Sequence, residues 1–279
     1  MGLNLDIIGK KSDPIPYTYD QYKVILYALG IGAAVEKELD FVYEKNLKVF
    51  PTFAVIPYMP AMGTMMVESG LNMFAVLHGE QKITLHNLIP TSGTITSTAS
   101  CTSIYDKGDK GAVVNMYAET RDEKGKLLFE NNAVIMDRSA GNFGGDRGPK
   151  TERFDPPEGK DPDFHVEYVI PVDQAALYRL SGDFNPLHIE PEFAKMGGFD
   201  RPILHGLCSF GYTGRAILHS VCESDPASFK SFSCRFTGVI YPGDTLTIEG
   251  WKADQGKYII RTMTQDGRVV LGNAVAEVE

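Results

Sequence analysis

Within the stretch Leu180 to His188, LSGDFNPLH, stand a carboxylate, a carboxamide and an imidazole: Asp183, Asn185 and His188. A carboxylate and an imidazole that meet can take a proton from one atom and return it to another, and a carboxamide beside them can fix a water or the carboxylate by hydrogen bonding. Pro186 fixes its own φ and biases Asn185 toward an extended or turn conformation, while Gly182 admits backbone angles closed to other residues. The stretch therefore predicts a shaped turn that can aim three polar side chains at one point. Further along, Gly206 precedes a helical pattern, so its amide is among the unpaired donors of a helix N-terminus and can face a developing negative charge. Taken alone, the same residues also suit an Asx turn beside a buried structural histidine. His205 could join Asp183 and His188 in a metal site, but two histidines and one carboxylate so scattered are a weak ligand pattern. A structural role behind the other two is expected for it, with no metal. His86, His165 and His219 carry no signal of their own.

These residues need elements to hold them. From Leu207 to Val221, Leu207, Phe210, Ile217, Leu218 and Val221 fall on one helical face, with Gly211 and Gly214 allowing close approach to a sheet. After it, the alternation in TLTIEGW, KYIIRTMT and RVVLGNAVAEV, broken at Asp-Gln-Gly and Asp-Gly, predicts an antiparallel meander. The first half of the chain repeats the plan. YTYDQYKVILYALG around Tyr27 resembles YVIPVDQAALYRLSG around Tyr178, each tyrosine has a proline 24 residues on (Pro51 and Pro202), and both halves end in a strand containing Asn-Ala-Val. One long helix and an antiparallel sheet, present twice, make an α+β architecture. Residues 1–138 form the first unit and 164–279 the second, joined by the Gly-, Pro- and charge-rich linker 139–163. Tyr27 and Tyr178 are 151 residues apart, and this offset carries Asp183, Asn185 and His188 back onto Gly32, Ala34 and Lys37. Only the second unit has the polar set, so one unit works and the other has been converted. In the first unit, Met59, Met62, Met65, Met66 and Met73 gather around Pro60, Gly63 and Gly70. They predict an interrupted central helix whose flexible thioethers either line a pocket for ligands of different length or simply fill the core.

Composition narrows the function. At 279 residues, two ordinary units are expected, and a net charge of −9 argues against a general nucleic-acid binder. The longest apolar run, Val24 to Val35, is 12 residues, short of a membrane span, and the N-terminus lacks a charged-then-apolar leader. Cys101, Cys208, Cys222 and Cys234 show no CxxC spacing, as in a reduced compartment without structural zinc.

The segment YRLSGDFNPLHIEPEFAKMGGFDRPILHGLCSFGYTGRAIL resembles the signature of the 2-enoyl-CoA hydratase 2 group, the MaoC-like (R)-specific hydratases, including the hydratase 2 portion of peroxisomal multifunctional enzymes of type 2. The likeness runs through VLHGEQ at Val76, the Asp-Lys-Gly turn at Asp106 and GNFGGDRG in the linker, and so covers essentially the whole chain. It implies a double hot-dog fold, in which each sheet wraps a central helix. It also implies reversible hydration of trans-2-enoyl-CoA to (3R)-3-hydroxyacyl-CoA in fatty acid β-oxidation. Asp183 and His188 would hold one water between them and split it across one face of the double bond, Asn185 would fix the water, and the Gly206 amide would receive the thioester charge. His78, Gly79, Lys107 and Phe236 match substrate-contact positions, and Phe184, Pro186 and Leu187 complete the substrate turn. Lys107 would meet a coenzyme A phosphate as a point charge, with Arg147 and Lys150 weaker candidates. No cofactor is implied beyond the coenzyme A of the substrate, and a homodimer is expected. The resemblance suggests a peroxisome, although the terminal Glu-Val-Glu is no Ser-Lys-Leu address and the cytoplasm is the alternative. A thioesterase on the same fold and a non-catalytic acyl-binding module are the competing readings.

Overall fold

Alternation along the strands fixes which faces turn inward. In a computed structural model, which describes residues 2–73 and 75–279, the first half runs β1 (Ile15–Tyr19), α1 (Gln21–Gly30), α2 (Val35–Val42), α3 (Met59–Glu68), β2 (Val76–Leu85), β3 (Gly93–Asp106), β4 (Ala112–Asp122) and β5 (Leu127–Asp137). The second runs β6 (Phe164–Val169), α4 (Gln174–Tyr178), α5 (Pro191–Met196), α6 (Gly206–Val221), β7 (Phe229–Phe236), β8 (Thr245–Asp254), β9 (Lys257–Thr264) and β10 (Val269–Val278). In β4 the residues from Ala112 to Thr120 alternate between buried and half-buried, as a strand with one face on a core requires. The expected meander of β8, β9 and β10 is present, with turns at Gly256 and Gly267 in the left-handed region.

Among the described residues, ten strands form one antiparallel sheet in the order β1-β3-β4-β5-β2-β7-β10-β9-β8-β6. Each half has the same order from its outer edge to the seam, where β2 pairs with β7. The seam carries the sequence repeat in its register. Adding 151 to Glu80 gives Ser231, and subtracting it from Arg235 gives Thr84; Glu80 pairs with Arg235 and Thr84 with Ser231. The offset therefore maps the ladder onto itself, as a local two-fold axis through the Lys82–Ser233 pair demands. Tyr27 and Tyr178, related by the same offset, have ring centroids 6.1 Å apart.

Helix α6 is buried from Leu207 to Leu218, and Phe210 stacks on Phe232 of β7 at 4.5 Å. The close approach allowed by its glycines is made to the other half's helical layer rather than to a sheet. A Cβ on Gly211 would lie 2.3 Å from Ile31 Cγ2 and one on Gly214 2.3 Å from Thr52 Cγ2. The periodicity marked one apolar face, but the helix is buried all round from Leu207 to Leu218, and Val221 of the expected face is only half-buried. The methionine segment also departs from expectation. Helix α3 runs unbroken through Gly63, because Pro60 sits in its first turn, where no intrahelical N–H is lost. The interruption lies ahead of Met59, after the 3₁₀ turn Pro51–Val55, and behind Glu68, where Gly70 has φ +70°. Met62 and Met65 are buried, and Met73 is exposed.

Residues 139–163 contain no helix or strand but are pinned to both halves. The buried Asp106 carboxylate accepts from the amides of Gly108, Asn142 and Gly144 at 2.7–2.9 Å, while Phe154 N donates to Asn273 Oδ1 and Trp251 Nε1 to the Lys160 carbonyl. Among the described residues, no helix is long and apolar enough to cross a membrane.

Candidate active site

The turn after α4 is built by its own side chains. A 3₁₀ turn over Arg179–Ser181 ends at Gly182, whose φ of +141° reverses the chain. Asp183 Oδ1 then accepts from Asn185 N at 3.2 Å, Asn185 Oδ1 accepts from Leu187 N at 3.0 Å, and Pro186 opens a second 3₁₀ turn over Pro186–His188. Two successive Asx turns thus present the Asp183 carboxylate, half-buried, and seat His188, which is 8% exposed. Asn185 is exposed and its carbonyl oxygen serves the turn, so its NH₂ group is what it can offer a ligand.

The ring of His188 is oriented by a main-chain group that no sequence pattern marks. Its Nδ1 lies 2.9 Å from the Ile203 carbonyl oxygen, which can only accept, so Nδ1 carries the proton and Nε2 holds the lone pair. His205, the residue that caps α6, lies against it with ring centroids 3.8 Å apart. By the same reasoning His205 Nε2–H donates to the Asp183 carbonyl at 3.2 Å. Its Nδ1 is buried without a hydrogen-bond partner. His205 therefore braces both members of the pair, a closer involvement than sequence alone disclosed; its place beside Gly206 was the available signal.

Burial keeps both rings neutral. It holds His188 below the usual histidine value against the Asp183 charge and the Ile203 hydrogen bond. In His205, burial and the neighbouring His188 lower the value to about 2 against the bond to the Asp183 carbonyl. Ligand atoms of Asp183, His188 and His205 lie within 4.8 Å of one another, close enough to share one small ligand. The two rings are tilted by 30° with their centroids 3.8 Å apart.

The wall opposite comes from the seam. Phe236 of β7 lies over the start of α6, where a Cβ on Gly206 would stand 3.2 Å from its ring; glycine permits the contact and leaves the first amide of the helix at the same place. His78 of β2 packs on Phe236 with ring centroids 5.0 Å apart. A β-bulge between His78 and Glu80 places Gly79 against the Val134 carbonyl and re-aims His78, whose buried Nε2 has no partner. Burial brings His78 down to about 4 against the Glu80 main chain and the Asp183 charge, which puts it within electrostatic reach of Asp183. The structure thus gathers Asp183, His188, His205, Gly206, Phe236 and His78 from both halves.

The remaining candidates lie at the margins. Phe184 is 57% exposed, with the Arg179 guanidinium 5.2 Å from its ring centroid, and Pro186 and Leu187 are half-buried in the turn. Lys107 sits in the β3–β4 turn, donates to the Arg147 carbonyl and lies over Tyr105. Its immediate partners are linker and turn groups rather than the acid–imidazole cluster. Arg147 bonds the Asp106 carbonyl, and Lys150 is exposed.

Comparison with known proteins shows the family and the fold. Residues 17–139 match the model of the MFE-2 hydratase 2 N-terminal domain, and residues 153–275 that of the MaoC like domain. The chain is 38% identical to a probable enoyl-CoA hydratase 2 of Dictyostelium discoideum, over 98% of this chain and 95% of that one. It is 37% identical to the peroxisomal multifunctional enzyme type 2 of Drosophila melanogaster, over 94% of this chain but 46% of the longer protein. A crystal structure of a MaoC-like dehydratase from Phytophthora capsici superposes with a TM-score of 0.88 at 30% identity, covering 99% of this chain and 98% of the other. The architecture is the α+β double hot-dog.

Proposed function

Because this chain belongs to the MaoC-like hydratase 2 family, we propose that it is a hydro-lyase that adds water reversibly to trans-2-enoyl-CoA, giving (3R)-3-hydroxyacyl-CoA in fatty acid β-oxidation. The observation that carries this reading is the meeting of Asp183 and His188 within 4.8 Å, beside the first amide of α6. A water between them donates to His188 Nε2, and its oxygen bonds to C3 as electrons move through the conjugated system toward the thioester oxygen. The Gly206 amide faces that developing charge. The imidazolium, stabilised by the Asp183 carboxylate, returns the proton to C2, so both groups end as they began. The depressed pKa of His188 suits it to start this cycle as the neutral acceptor.

No cofactor takes part beyond the coenzyme A of the substrate. His78, Gly79 and Phe236 form the wall of the thioester site, and Lys107 meets a phosphate at its edge. Peroxisomal residence, as in the relatives named peroxisomal, and a homodimeric assembly belong to the same proposal. Incubation with trans-2-decenoyl-CoA tests the chemistry: loss of enoyl absorbance without free thiol, giving the R alcohol, is expected. Thiol release would indicate a thioesterase, and binding without turnover an acyl-binding module.

A further inference from the structure

We propose that the chain has a second, non-catalytic pocket for the pantetheine arm of coenzyme A, at the far end of the β2–β7 seam. The local two-fold axis that maps the seam onto itself must generate a counterpart of the candidate active site. His78, Gly79 and Phe236 wall that site, and the 151-residue offset carries them to Phe229, Lys230 and Leu85. All three line a cavity of about 230 Å³. Pro51, the counterpart of Pro202, and Leu88 and Ile89, counterparts of Val239 and Ile240, line it too. The cavity thus stands seven residues along β2 from His78, on the order of 23 Å away at ~3.3 Å per residue.

The first half has no counterpart of the acid and imidazole: the offset carries Asp183 and His188 to Gly32 and Lys37. Gly32, the counterpart of Asp183, has φ +76°, and a Cβ there would lie 2.2 Å from the Tyr212 hydroxyl of α6. Behind it, buried Glu38 binds Arg215 Nε at 2.5 Å, His219 Nε2 at 2.7 Å and the Ala34 amide at 2.8 Å, which ties the converted turn to α6. No acyl thioester can be processed there, yet the outer wall remains open. What is left is smaller than the roughly 300–1,000 Å³ usual for a whole ligand, so it suits a part of one. Its lining is half apolar (Phe229, Leu88, Pro51) and half polar (Lys230, Asn87, His86), which matches an arm of amides, methylenes and a gem-dimethyl group. Lys230, which donates to the Ala227 carbonyl and is ion-paired with Glu279, is the cation at the cavity that a phosphate would draw from that carboxylate.

The identity of the ligand rests on the proposed acyl-CoA chemistry, but the existence of the pocket does not. Equilibrium dialysis of radiolabelled free coenzyme A against the intact chain is expected to count two sites. Ala227→Trp, at an exposed lining residue, fills the cavity and leaves one site, with kcat/KM for hydration within twofold of the unmodified chain. Lys230→Glu weakens the second site about tenfold. As an independent reading, Leu88→Trp places a fluorophore at a 60% exposed lining position, and pantetheine alone should shift its emission. One site in the unmodified chain, or two sites persisting in Ala227→Trp, overturns the proposal. Two sites without any hydration would leave the pocket standing and remove the proposed function instead; hydration with a single site would do the reverse.

Discussion

Lowering the pH should destabilise this protein before any carboxylate is protonated, because its central histidines are buried neutral. His205 is 1% exposed and titrates at about 2 in the folded chain, against about 6.5 when unfolded. Below pH 6.5 the unfolded state takes up a proton that the folded state refuses, so stability is complete above about pH 7.5 and falls as the pH falls. Between pH 7.5 and 5.5 this one residue removes about 1.4 kcal/mol, nearly independent of how far below 4.5 its folded value lies. His78 acts in the same direction down to about 4, by a smaller amount since part of the residue is exposed, and His188 adds to it. His205 and His78 together account for roughly 2 kcal/mol. Glu38 does not contribute in this window: burial raises it, but the bonds from His219, Arg215 and the Ala34 amide prevail and hold it at about 2, so its share is lost only between about pH 4.5 and 2. Urea unfolding at pH 7.5 and 5.5 measures the difference, and His205→Gln should cut it by about half. Equal stabilities at the two pH values would refute the assignment of buried neutral rings.

Asp183→Asn and His188→Ala should each lower turnover of an enoyl-CoA by about 10²–10⁴, with unfolding midpoints close to that of the unmodified chain at neutral pH. Glu38→Gln leaves the Arg215 guanidinium, 8% exposed, without its counter-ion, and should cost about 3–5 kcal/mol in chemical denaturation while kcat at low temperature is retained. Lys107→Ala should raise KM for coenzyme A esters and flatten its dependence on salt, with kcat unchanged, as steady-state kinetics across ionic strengths would report.

The repeat, the helix α6 and the turn at Asp183 were legible because local chemistry fixes them: glycine and proline punctuate the turn, and alternation writes the strands. The 151-residue offset between Tyr27 and Tyr178 also relates the paired positions of the seam, a register that the sequence did not announce. Contacts between distant segments were not legible. The Ile203 carbonyl that orients His188 is a main-chain atom, and every residue carries one. Glu38 and Arg215 are 177 residues apart, and His219 seemed ordinary until α6 brought it to the same carboxylate. Gly211 and Gly214 announced a close approach without saying to what, and it proved to be the opposite half. Lys107 was readable as a charge, but not its engagement with the Arg147 carbonyl.

Hydration run in a mixture of heavy-oxygen water and deuterium oxide, with the product examined by mass spectrometry and NMR, tests the shared acid–imidazole step most directly. One labelled oxygen at C3 and one deuterium at C2, both on the same face, is the expected product, and Asp183→Asn should form it at a small fraction of the rate. Addition to opposite faces, or labelled oxygen appearing in a released carboxylate, would contradict it.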